Sequence, residues 1–416
     1  MFVLPKLSVN GDRLNEHIDR LAKVGRQPSG SICRLAFTSE ILQARYLIQQ
    51  WMNEAGMVTR TDAAGNLIGT YEGKVKGAPV LATGSHIDTV PSGGRFDGVL
   101  GVLAGIEVAR SLHANDVRLN HPIEVIAFTD EENTMIGCQA MAGTVLADQP
   151  ERYRAVNGQS IQDCLDMIGG NWDTILTARR SRADMAAFVE LHVEQGAVLE
   201  RSKMEIGVVQ GVVGIRRKAI TIVGEANHAG TTPMDMRRDA MVAAAHVVLA
   251  VQQMALRMPT QPVATVGYLT VQPNAVNIVP GRVELSVDIR DLSKECLDTM
   301  VQQLEVELQA IATQTDTQIE TRPLLCVEPT LAADAVQDAI ASVCTDLGLS
   351  QCSMPSRAGH DALEIGRITD MGMIFVPSQA GVSHSEEEYT SPEQCTQGAN
   401  VLLHTLIKLD ELYSAN

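Results

Sequence analysis

The stretch that decides the fold is LATGSHIDTVPSGGRFDG, residues 81–98. It begins with an apolar run that predicts a short buried strand, followed by the polar residues around His86 and Asp88. Alternation along an extended chain places these two side chains on the same side, about 7 Å apart. Asp97 follows in a glycine-rich loop. An imidazole and two carboxylates thus collect at the carboxyl end of a strand, where open α/β sheets place their ligands.

This combination of side chains favours a metal site. Imidazole nitrogen and carboxylate oxygen together suit zinc, cobalt, manganese or nickel. We expect Asp88 to orient His86 rather than to bind metal itself. The alternative is a capped strand end with a polar turn, and the stretch alone does not decide between the two.

Composition limits the classes of function. The chain has 416 residues, enough for two or three domains, and 45% of them are hydrophobic, which is normal for a globular protein. The net charge of −17 and the pI of about 5.0 argue against nucleic acid or an acidic membrane as a partner.

The cysteines and the start of the chain predict a compartment. The eight cysteines are scattered with no CxxC pair, which indicates reduced thiols. The first residues, MFVLPKLSVNGDRLNE, lack the pattern of a signal peptide, and no run of 18 apolar residues predicts a membrane span. We therefore expect a cytoplasmic enzyme with no membrane partner.

Polar side chains follow two further predicted strands. The run 123–129 ends in Asp130-Glu131-Glu132 and is joined to the first strand by a helix over 98–114, an order typical of a parallel sheet. Because the side chains of Glu131 and Glu132 diverge, one can bind metal while the other faces a metal-bound water. A solvated acidic turn is the plain alternative.

A third strand, 186–194, carries His192 near its end, with Glu194-Gln195-Gly196 following. A lone histidine in a strand is more often structural than a ligand. Here it is the third polar cluster at a strand end, which strengthens the prediction of a metal site.

The pattern changes between residues 212 and 327. The sequence predicts the order βαββαβ, a ferredoxin-like arrangement typical of a separate inserted domain. The predicted elements are strands at 217–223, 263–271, 282–290 and 317–325 and helices at 233–257 and 292–313. We expect Thr232 to cap the first helix, Pro233 to be its first residue and Asp235 to complete a capping box.

After residue 328 the first pattern resumes, with a helix at 330–346, a buried strand at 371–376 and a final helix at 391–412. The predicted fold is α/β. A catalytic domain with a central, mostly parallel sheet comprises residues 1–211 and 328–416, and an inserted α+β domain comprises 212–327.

Nine motifs in order carry a resemblance. The motifs, which span about residues 65 to 390, are GSHIDTV, GGRFDG, FTDEE, ELHVEQG, NHAGTTPMDMRRDA, NAVNIVPG, DIR, AGHDA and GVSHS. With them the chain resembles the two-metal amidohydrolases of the aminoacylase and carboxypeptidase superfamily, in the branch of N-carbamoyl-L-amino-acid hydrolases, β-ureidopropionases and allantoate amidohydrolases. The histidine of ELHVEQG is specific to this branch, since relatives often have a carboxylate there.

The resemblance implies roles for particular residues. It implies two divalent ions per subunit (Zn, Mn, Co or Ni), bridged by Asp97. One ion is held by His86 and His192 and the other by Glu132 and His384. Glu131 would act as the base, supported by Asp88. The implied substrate contacts are Gln195, Arg216, His228, Asn277, Arg290 and Gly359.

The resemblance also implies a reaction and a partner. The expected reaction is hydrolysis of the ureido bond of an N-carbamoyl-L-amino acid to the amino acid, ammonia and carbon dioxide. Allantoate amidohydrolase, β-ureidopropionase, a dipeptidase or deacylase, and a non-catalytic binding protein are the alternatives. The inserted domain is expected to act as a lid and to form a homodimer in which lid residues reach the neighbouring subunit's site. The sequence departs from the family pattern in one loop. Many carbamoylases have a longer stretch between the Glu-Glu pair and the following Met-Ile-Gly, which here is only Asn133-Thr134.

Overall fold

The computed structural model describes residues 7–414. Residues 1–6, which belong to the stretch considered for a signal peptide, and residues 415–416 lie outside the described part. The chain forms two compact units. One comprises the chain up to Val212 and from Leu331 onward, and the other is Val213–Thr330.

The eleven α-helices of the described residues are α1 Gly11–Leu21, α2 Ser39–Glu54, α3 Val99–Ala114, α4 Ile136–Ala142, α5 Ile161–Met167, α6 Val198–Ser202, α7 Ala240–Arg257, α8 Lys294–Thr315, α9 Asp334–Leu347, α10 Asp361–Ile365 and α11 Pro392–Ser414. The fifteen strands of the same part are β1 Val58–Thr61, β2 Leu67–Tyr71, β3 Val80–His86, β4 Ile123–Phe128, β5 Met185–Val193, β6 Ile206–Val212, β7 Gly214–Val223, β8 Asn227–His228, β9 Val263–Gln272, β10 Ile278–Val279, β11 Arg282–Asp291, β12 Gln318–Val327, β13 Thr330–Leu331, β14 Gln351–Ser356 and β15 Asp370–Val376.

The first unit is built on a mixed sheet of nine strands. Eight follow the order β1-β2-β4-β3-β5-β15-β6-β13, and β14 pairs with β6. The four central strands β4, β3, β5 and β15 run parallel to one another. Strands β1 and β2 join their neighbours antiparallel, and β6 pairs antiparallel with β15 and parallel with β14. The predicted α/β class with a central sheet is confirmed, and the sheet is mixed rather than wholly parallel.

Helix α3 lies close against this sheet because glycines line its inner side. A Cβ at Gly101 would lie 2.4 Å from the carbonyl oxygen of Leu191, and one at Gly105 would lie 2.9 Å from the side chain of Thr83. Thirteen of its sixteen residues are buried. The start of this helix is therefore held at the carboxyl ends of β3 and β5, directly after Asp97.

The second unit is a four-stranded antiparallel sheet in the order β12-β7-β11-β9, with α7 and α8 packed on one face. Its element order is the predicted βαββαβ. Alternate residues of β11 are buried, from Val283 to Ile289, and these face the helices. The intervening residues of β11, from Arg282 to Arg290, lie on the other face.

The start of α7 differs from the prediction. The helix begins at Ala240 rather than at Pro233, and its cap is Asp239, whose carboxylate accepts from the N–H groups of the first turn. Pro233 is extended, with ψ of 153°, and is followed by a short 3-10 turn. The guanidinium of Arg237 donates to the carbonyls of Thr232 and Ala229, which holds this segment outside the helix.

Two further observations bear on the compartment. All eight cysteines carry free thiols. Helix α7 is long and apolar enough to cross a membrane by length and composition, and one third of it is buried in this unit. Its buried residues, including Val247 and Val251, belong to the core between the helices and the sheet.

Candidate metal centre

The predicted ligands meet because four neighbouring parallel strands end at one edge of the sheet. His86 is the last residue of β3, and His192 lies one residue before the end of β5. Glu131 and Glu132 follow β4, and His384 lies in the loop after β15 with φ of +54°. Parallel strands present their carboxyl ends on the same side, so residues far apart in sequence converge.

Asp97 lies at the middle of this cluster, and its two oxygens face different partners. Oδ1 lies 3.1 Å from His192 Nε2 and 3.7 Å from His86 Nε2. Oδ2 lies 3.2 Å from His384 Nε2, which is in turn 3.5 Å from Glu132 Oε2. Two groups of possible metal ligands thus share the Asp97 carboxylate: the first ligand group is His86, His192 and Asp97, and the second is Glu132, His384 and Asp97. A further cluster of possible ligands, Glu190, His192 and His360, shares His192 with the first group.

Main-chain carbonyls orient two of the imidazoles. His86 Nδ1 lies 3.0 Å from the carbonyl oxygen of Asp88, and His192 Nδ1 lies 2.8 Å from that of Val193. A carbonyl oxygen can only accept, so Nδ1 carries the proton in both rings. Nε2 of each ring therefore faces Asp97, and once this nitrogen is deprotonated its lone pair can bind a metal ion.

The Asp88 side chain does not make the contact that we expected. Its carboxylate is 3.8 Å from His86 Nδ1, beyond hydrogen-bond distance, because the carbonyl of the same residue occupies that position. The carboxylate instead accepts from the N–H of Glu132 at 3.2 Å. Asp88 therefore orients His86 through its main chain and holds the Glu131-Glu132 turn through its side chain.

Glu131 belongs to neither ligand group. Its Oε2 lies 3.6 Å from His86 Nε2, and its side chain is only 9% exposed. Burial raises the pKa of Glu131 well above its ordinary value, and the charge of His86 opposes this rise. The carboxyl thus lies beside the first ligand group, in a position to accept a proton.

The buried charges of the cluster suit divalent cations. Burial alone would raise the pKa of Asp97, but hydrogen bonds from His192 and His384 hold it well below its ordinary value. Burial would lower the pKa of His86, yet Glu131 and Asp97 raise it well above that of a free imidazole. Divalent ions bound here would replace protons on these imidazoles and carboxyls.

The space around the first group also fits an ion. A Cβ at Gly98, whose φ is +66°, would lie 2.5 Å from His86 Nε2. Glycine leaves this side of the ligand open, while the N–H of Gly98 donates to His192 Nε2 at 3.1 Å. Three imidazoles and two carboxylates in this arrangement fit a pair of ions such as Zn, Mn, Co or Ni.

Two of the predicted substrate contacts lie in the same unit. Gln195, at φ of +57°, donates from Nε2 to Asp97 Oδ2 at 2.9 Å. Its Oε1 is buried and has no hydrogen-bond partner in the described part of the chain. Gly359 is exposed and directly precedes the buried His360, whose ring centroid is 4.5 Å from that of His192. Gln195 therefore lies at the metal centre, and Gly359 precedes a residue that contacts it.

The other four predicted substrate contacts lie in the second unit. Two of them, His228 and Asn277, come together. Both are exposed. Ile278 pairs with His228 between β10 and β8, and the N–H of Ala229 donates to the carbonyl of Asn277. The His228 Nδ1 accepts from the N–H groups of Gly230 and Thr231 at 3.0 and 3.1 Å, so its proton lies on Nε2.

Arg216 and Arg290 lie on opposite faces of the four-stranded sheet. Arg216 pairs with the buried Ile289 and therefore faces the helices. There its guanidinium is 9% exposed and binds Asp298, Glu328 and the carbonyl of Val327. The structure therefore does not bring Arg216 together with Arg290, and holds it by contacts within the unit.

Arg290 lies on the open face of the sheet. Its Nε donates to Asp288 Oδ1 at 2.8 Å, and its side chain is 28% exposed. Burial would raise the pKa of Asp288, but hydrogen bonds from Arg290 and Arg217 lower it. The guanidinium is thus oriented by a carboxylate and remains partly accessible.

Sequence reasoning missed several buried residues beside the metal centre. Glu190, two residues before His192 on the same side of β5, accepts from Ser85 at 2.7 Å and from the N–H of Ala362 at 2.9 Å. Asp361 is fully buried, and among residues 7–414 neither of its carboxylate oxygens has a hydrogen-bond partner. Strand alternation could have indicated Glu190, whereas the residues around Asp361 were visible only as the motif AGHDA. Glu388, which binds the loop of Asp97, gave no signal in the sequence.

Comparison with known proteins identifies the family. The model of peptidase family M20/M25/M40 matches residues 82–408. The chain belongs to this family. The predicted relationship to the two-metal amidohydrolases and the prediction of a hydrolase are thereby confirmed.

Individual relatives of this M20 chain cover nearly its whole length. An N-carbamoyl-L-amino acid amidohydrolase of Geobacillus stearothermophilus is 42% identical over 406 residues, covering 96% of this chain and 99% of that protein. An allantoate amidohydrolase of Bacillus subtilis is 34% identical, covering 97% and 98%. The crystal structure of an amidase of the hydantoinase/carbamoylase family from Burkholderia multivorans matches with a TM-score of 0.90 at 36% identity, covering 97% of this chain and 98% of that one.

Proposed function

We propose that this chain hydrolyses the ureido bond of an N-carbamoyl-L-amino acid to the L-amino acid, ammonia and carbon dioxide. The observation that carries the proposal is the division of the Asp97 oxygens between two groups of possible metal ligands, with Glu131 beside them. The 42% identity to an N-carbamoyl-L-amino acid amidohydrolase supports the choice of substrate.

The proposed centre uses the five ligands in two sets. His86 and His192 would hold one ion, Glu132 and His384 would hold the other, and Asp97 would contribute a carboxylate oxygen to each. Two divalent ions, when bound, polarise a carbonyl group and lower the pKa of water. The donor set accepts Zn, Mn, Co or Ni.

Glu131 moves the proton in this proposal. Because it lies outside both ligand groups, its carboxylate stays available to accept a proton from the attacking water. The same carboxyl then donates that proton to the nitrogen of the amino acid as the C–N bond breaks. Carbamate is the other product, and it decomposes to ammonia and carbon dioxide.

Two residues of the second unit can recognise the substrate. Arg290 offers a planar guanidinium to the α-carboxylate, and Asp288 fixes its orientation. His228 can donate from Nε2 to the oxygen that becomes charged in the tetrahedral stage, since its Nδ1 is already held as an acceptor. The exposed Asn277 beside it can donate to the same oxygen.

The positions of these residues support a homodimer. Between Arg282 and Arg290, β11 spans eight residue steps, about 27 Å at the usual rise. His228 lies beyond the Arg282 end, since β7 ends at Val223 opposite Arg282. One small substrate cannot contact both Arg290 and His228 of the same subunit, so we propose that each site takes these residues from different copies.

An exposed apolar face is available for such a dimer. The outer side of α7 carries Val242, Val248, Leu249 and Leu256, all of them exposed. A second copy of this chain would cover them. We place the enzyme in the cytoplasm because its eight cysteines carry free thiols. We expect no nucleic acid or membrane as a partner.

Allantoate amidohydrolase is the second candidate. Allantoate also carries ureido groups and a carboxylate, and the Bacillus subtilis relative has that name. β-Ureidopropionase and a deacylase or dipeptidase are weaker alternatives, because neither the Geobacillus stearothermophilus relative nor the Bacillus subtilis relative has such a name.

A substrate panel tests the proposal. Ammonia release is measured with metal-reconstituted protein on N-carbamoyl-L-methionine, N-carbamoyl-β-alanine and allantoate, while amino-acid release is followed on N-acetyl-L-methionine and a dipeptide. We expect turnover of the N-carbamoyl-L-amino acid and its loss with chelator. Selective turnover of allantoate would move the chain to the second candidate, and release from the acetyl or peptide compound alone would reject both.

A further inference from the structure

Glu388 is a buried carboxylate that lies outside both groups of metal ligands. It is 2% exposed and follows His384 by four residues. We propose that Glu388 is a positioning residue that joins the loop of Asp97 to the loop of His384, so that the second ligand group forms. This inference rests on the two-metal centre of the proposed function.

The first contact of Glu388 is with the loop that carries the bridging ligand. Its Oε1 accepts from the main-chain N–H of Phe96 at 2.7 Å and from that of Asp97 at 3.1 Å. Two charge-assisted bonds to consecutive N–H groups fix the backbone at Asp97. A Cβ at Gly94 would lie 2.2 Å from the same oxygen, so a glycine is needed for the carboxylate to approach.

The second contact of Glu388 is with the loop that carries His384. Its Oε2 accepts from the hydroxyl of Ser383 at 3.1 Å, and that hydroxyl also lies 3.2 Å from Asp97 Oδ2. The N–H of Glu388 donates to the carbonyl of Ser385, which closes the turn. One carboxylate therefore joins the backbone of Asp97 to the residue before His384.

The second ligand group depends on this link more than the first. The His384 side chain is 48% exposed and its backbone is left-handed, so neither burial nor a strand fixes its position. His86 and His192 instead lie at strand ends and are 3% or less exposed. Their Nδ1 atoms bind the main-chain carbonyls of Asp88 and Val193, which orients both rings without Glu388.

Metal content is the readout that separates positioning from general stability. Wild-type protein and its variants are dialysed against a graded series of chelator concentrations, and bound ions per chain are counted by mass spectrometry. In Glu388→Ala we expect one of the two ions to be released at about 10- to 100-fold lower chelator concentration. The other ion should be released much nearer to the wild-type concentration.

Three variants sharpen the test. Glu388→Gln should restore most of the affinity, because its amide oxygen can accept from Phe96 and Asp97 while its NH₂ donates to Ser383. Ser383→Ala removes only the link to the second loop, so it should weaken the same ion by less than Glu388→Ala does. Glu387→Ala is the matched control, since Glu387 is exposed in the same turn and should behave as wild type.

Two results would overturn the inference. One is retention of both ions in Glu388→Ala and Ser383→Ala at the wild-type chelator concentration. The other is simultaneous loss of both ions together with a fall in melting temperature, which is what a purely structural residue would cause. If wild-type protein itself binds fewer than two ions, the two-metal centre of the proposed function fails, and this inference fails with it.

Discussion

Replacing Glu131 with glutamine separates proton transfer from metal binding. The change keeps the size of the side chain and removes only its ability to accept a proton from water. Because Glu131 belongs to neither ligand group, we expect the variant to bind two ions with unchanged affinity. Because a positioned general base contributes about 100- to 10,000-fold, kcat should fall by that factor, or about 2.7 to 5.5 kcal/mol of transition-state stabilisation.

The structure also predicts the stability of this variant. Burial raises the pKa of Glu131, and the nearby carboxylates of Asp361, Glu132 and Asp88 raise it further. A neutral amide removes this repulsion, so the metal-free variant should melt at the same temperature as wild type or higher. A catalytic loss caused by misfolding would give the opposite shift.

The assay combines three measurements on the same preparation. Ammonia release gives kcat and KM, mass spectrometry gives ions per chain, and thermal melting gives stability. Turnover within about tenfold of wild type, with two ions bound, would show that another group takes the proton. Loss of an ion from the variant would instead show that Glu131 is a metal ligand, contrary to the geometry.

Three further results should follow. Arg290→Ala should lower kcat/KM by about 10- to 100-fold on substrates with a free α-carboxylate, because that is what a charged hydrogen bond contributes. The same variant should hydrolyse an α-carboxamide analogue as fast as wild type does. Equal losses on both substrates would contradict the role of Arg290. His384→Ala should bind one ion per chain, and Asp97→Ala should bind none. Counting the bound ions per chain checks both expectations, and the same number of ions lost in the two variants would argue against a bridging Asp97. The raised pKa values of Glu131 and Asp361, caused first by burial, mean that the folded metal-free protein binds more protons than the unfolded chain. The unfolding free energy of the metal-free protein should therefore fall as the pH rises from the ordinary carboxyl range through the raised pKa values. Melting curves recorded in chelator at several pH values should show that this free energy depends less steeply on pH in Glu131→Gln. The same pH dependence in the variant and in wild type would contradict the raised pKa of Glu131.

Much of the candidate metal centre was predictable because the ends of buried strands are simple to identify in a sequence. Short apolar runs before His86 and Glu131 predicted buried strands, and the βαβ order predicted that their carboxyl ends meet. The sequence did not indicate which oxygen of Asp97 faces which partner. That depends on side-chain rotamers and on the left-handed backbone at His384, neither of which follows from periodicity.

Other features depended on contacts between distant segments. The capping signals at Thr232 and Pro233 predicted a helix start that the bonds of Arg237 and the cap at Asp239 displaced by seven residues. The register of the strand beginning at Gly214 decides that Arg216 faces the helices. The adjacent basic residues 216–218 do not reveal which face of the sheet each side chain takes. The prediction that Arg216 contacts substrate therefore rested on the resemblance alone.

The dependence of activity on bound ions tests the central claim most directly. Metal-free protein is titrated with Zn, Mn, Co or Ni, and ammonia release from N-carbamoyl-L-methionine is followed against ions bound per chain. We predict little activity without metal and full activity only at two ions per chain. Full activity at one ion or none, or no ammonia with any of these metals, would contradict two-metal hydrolysis of a ureido bond.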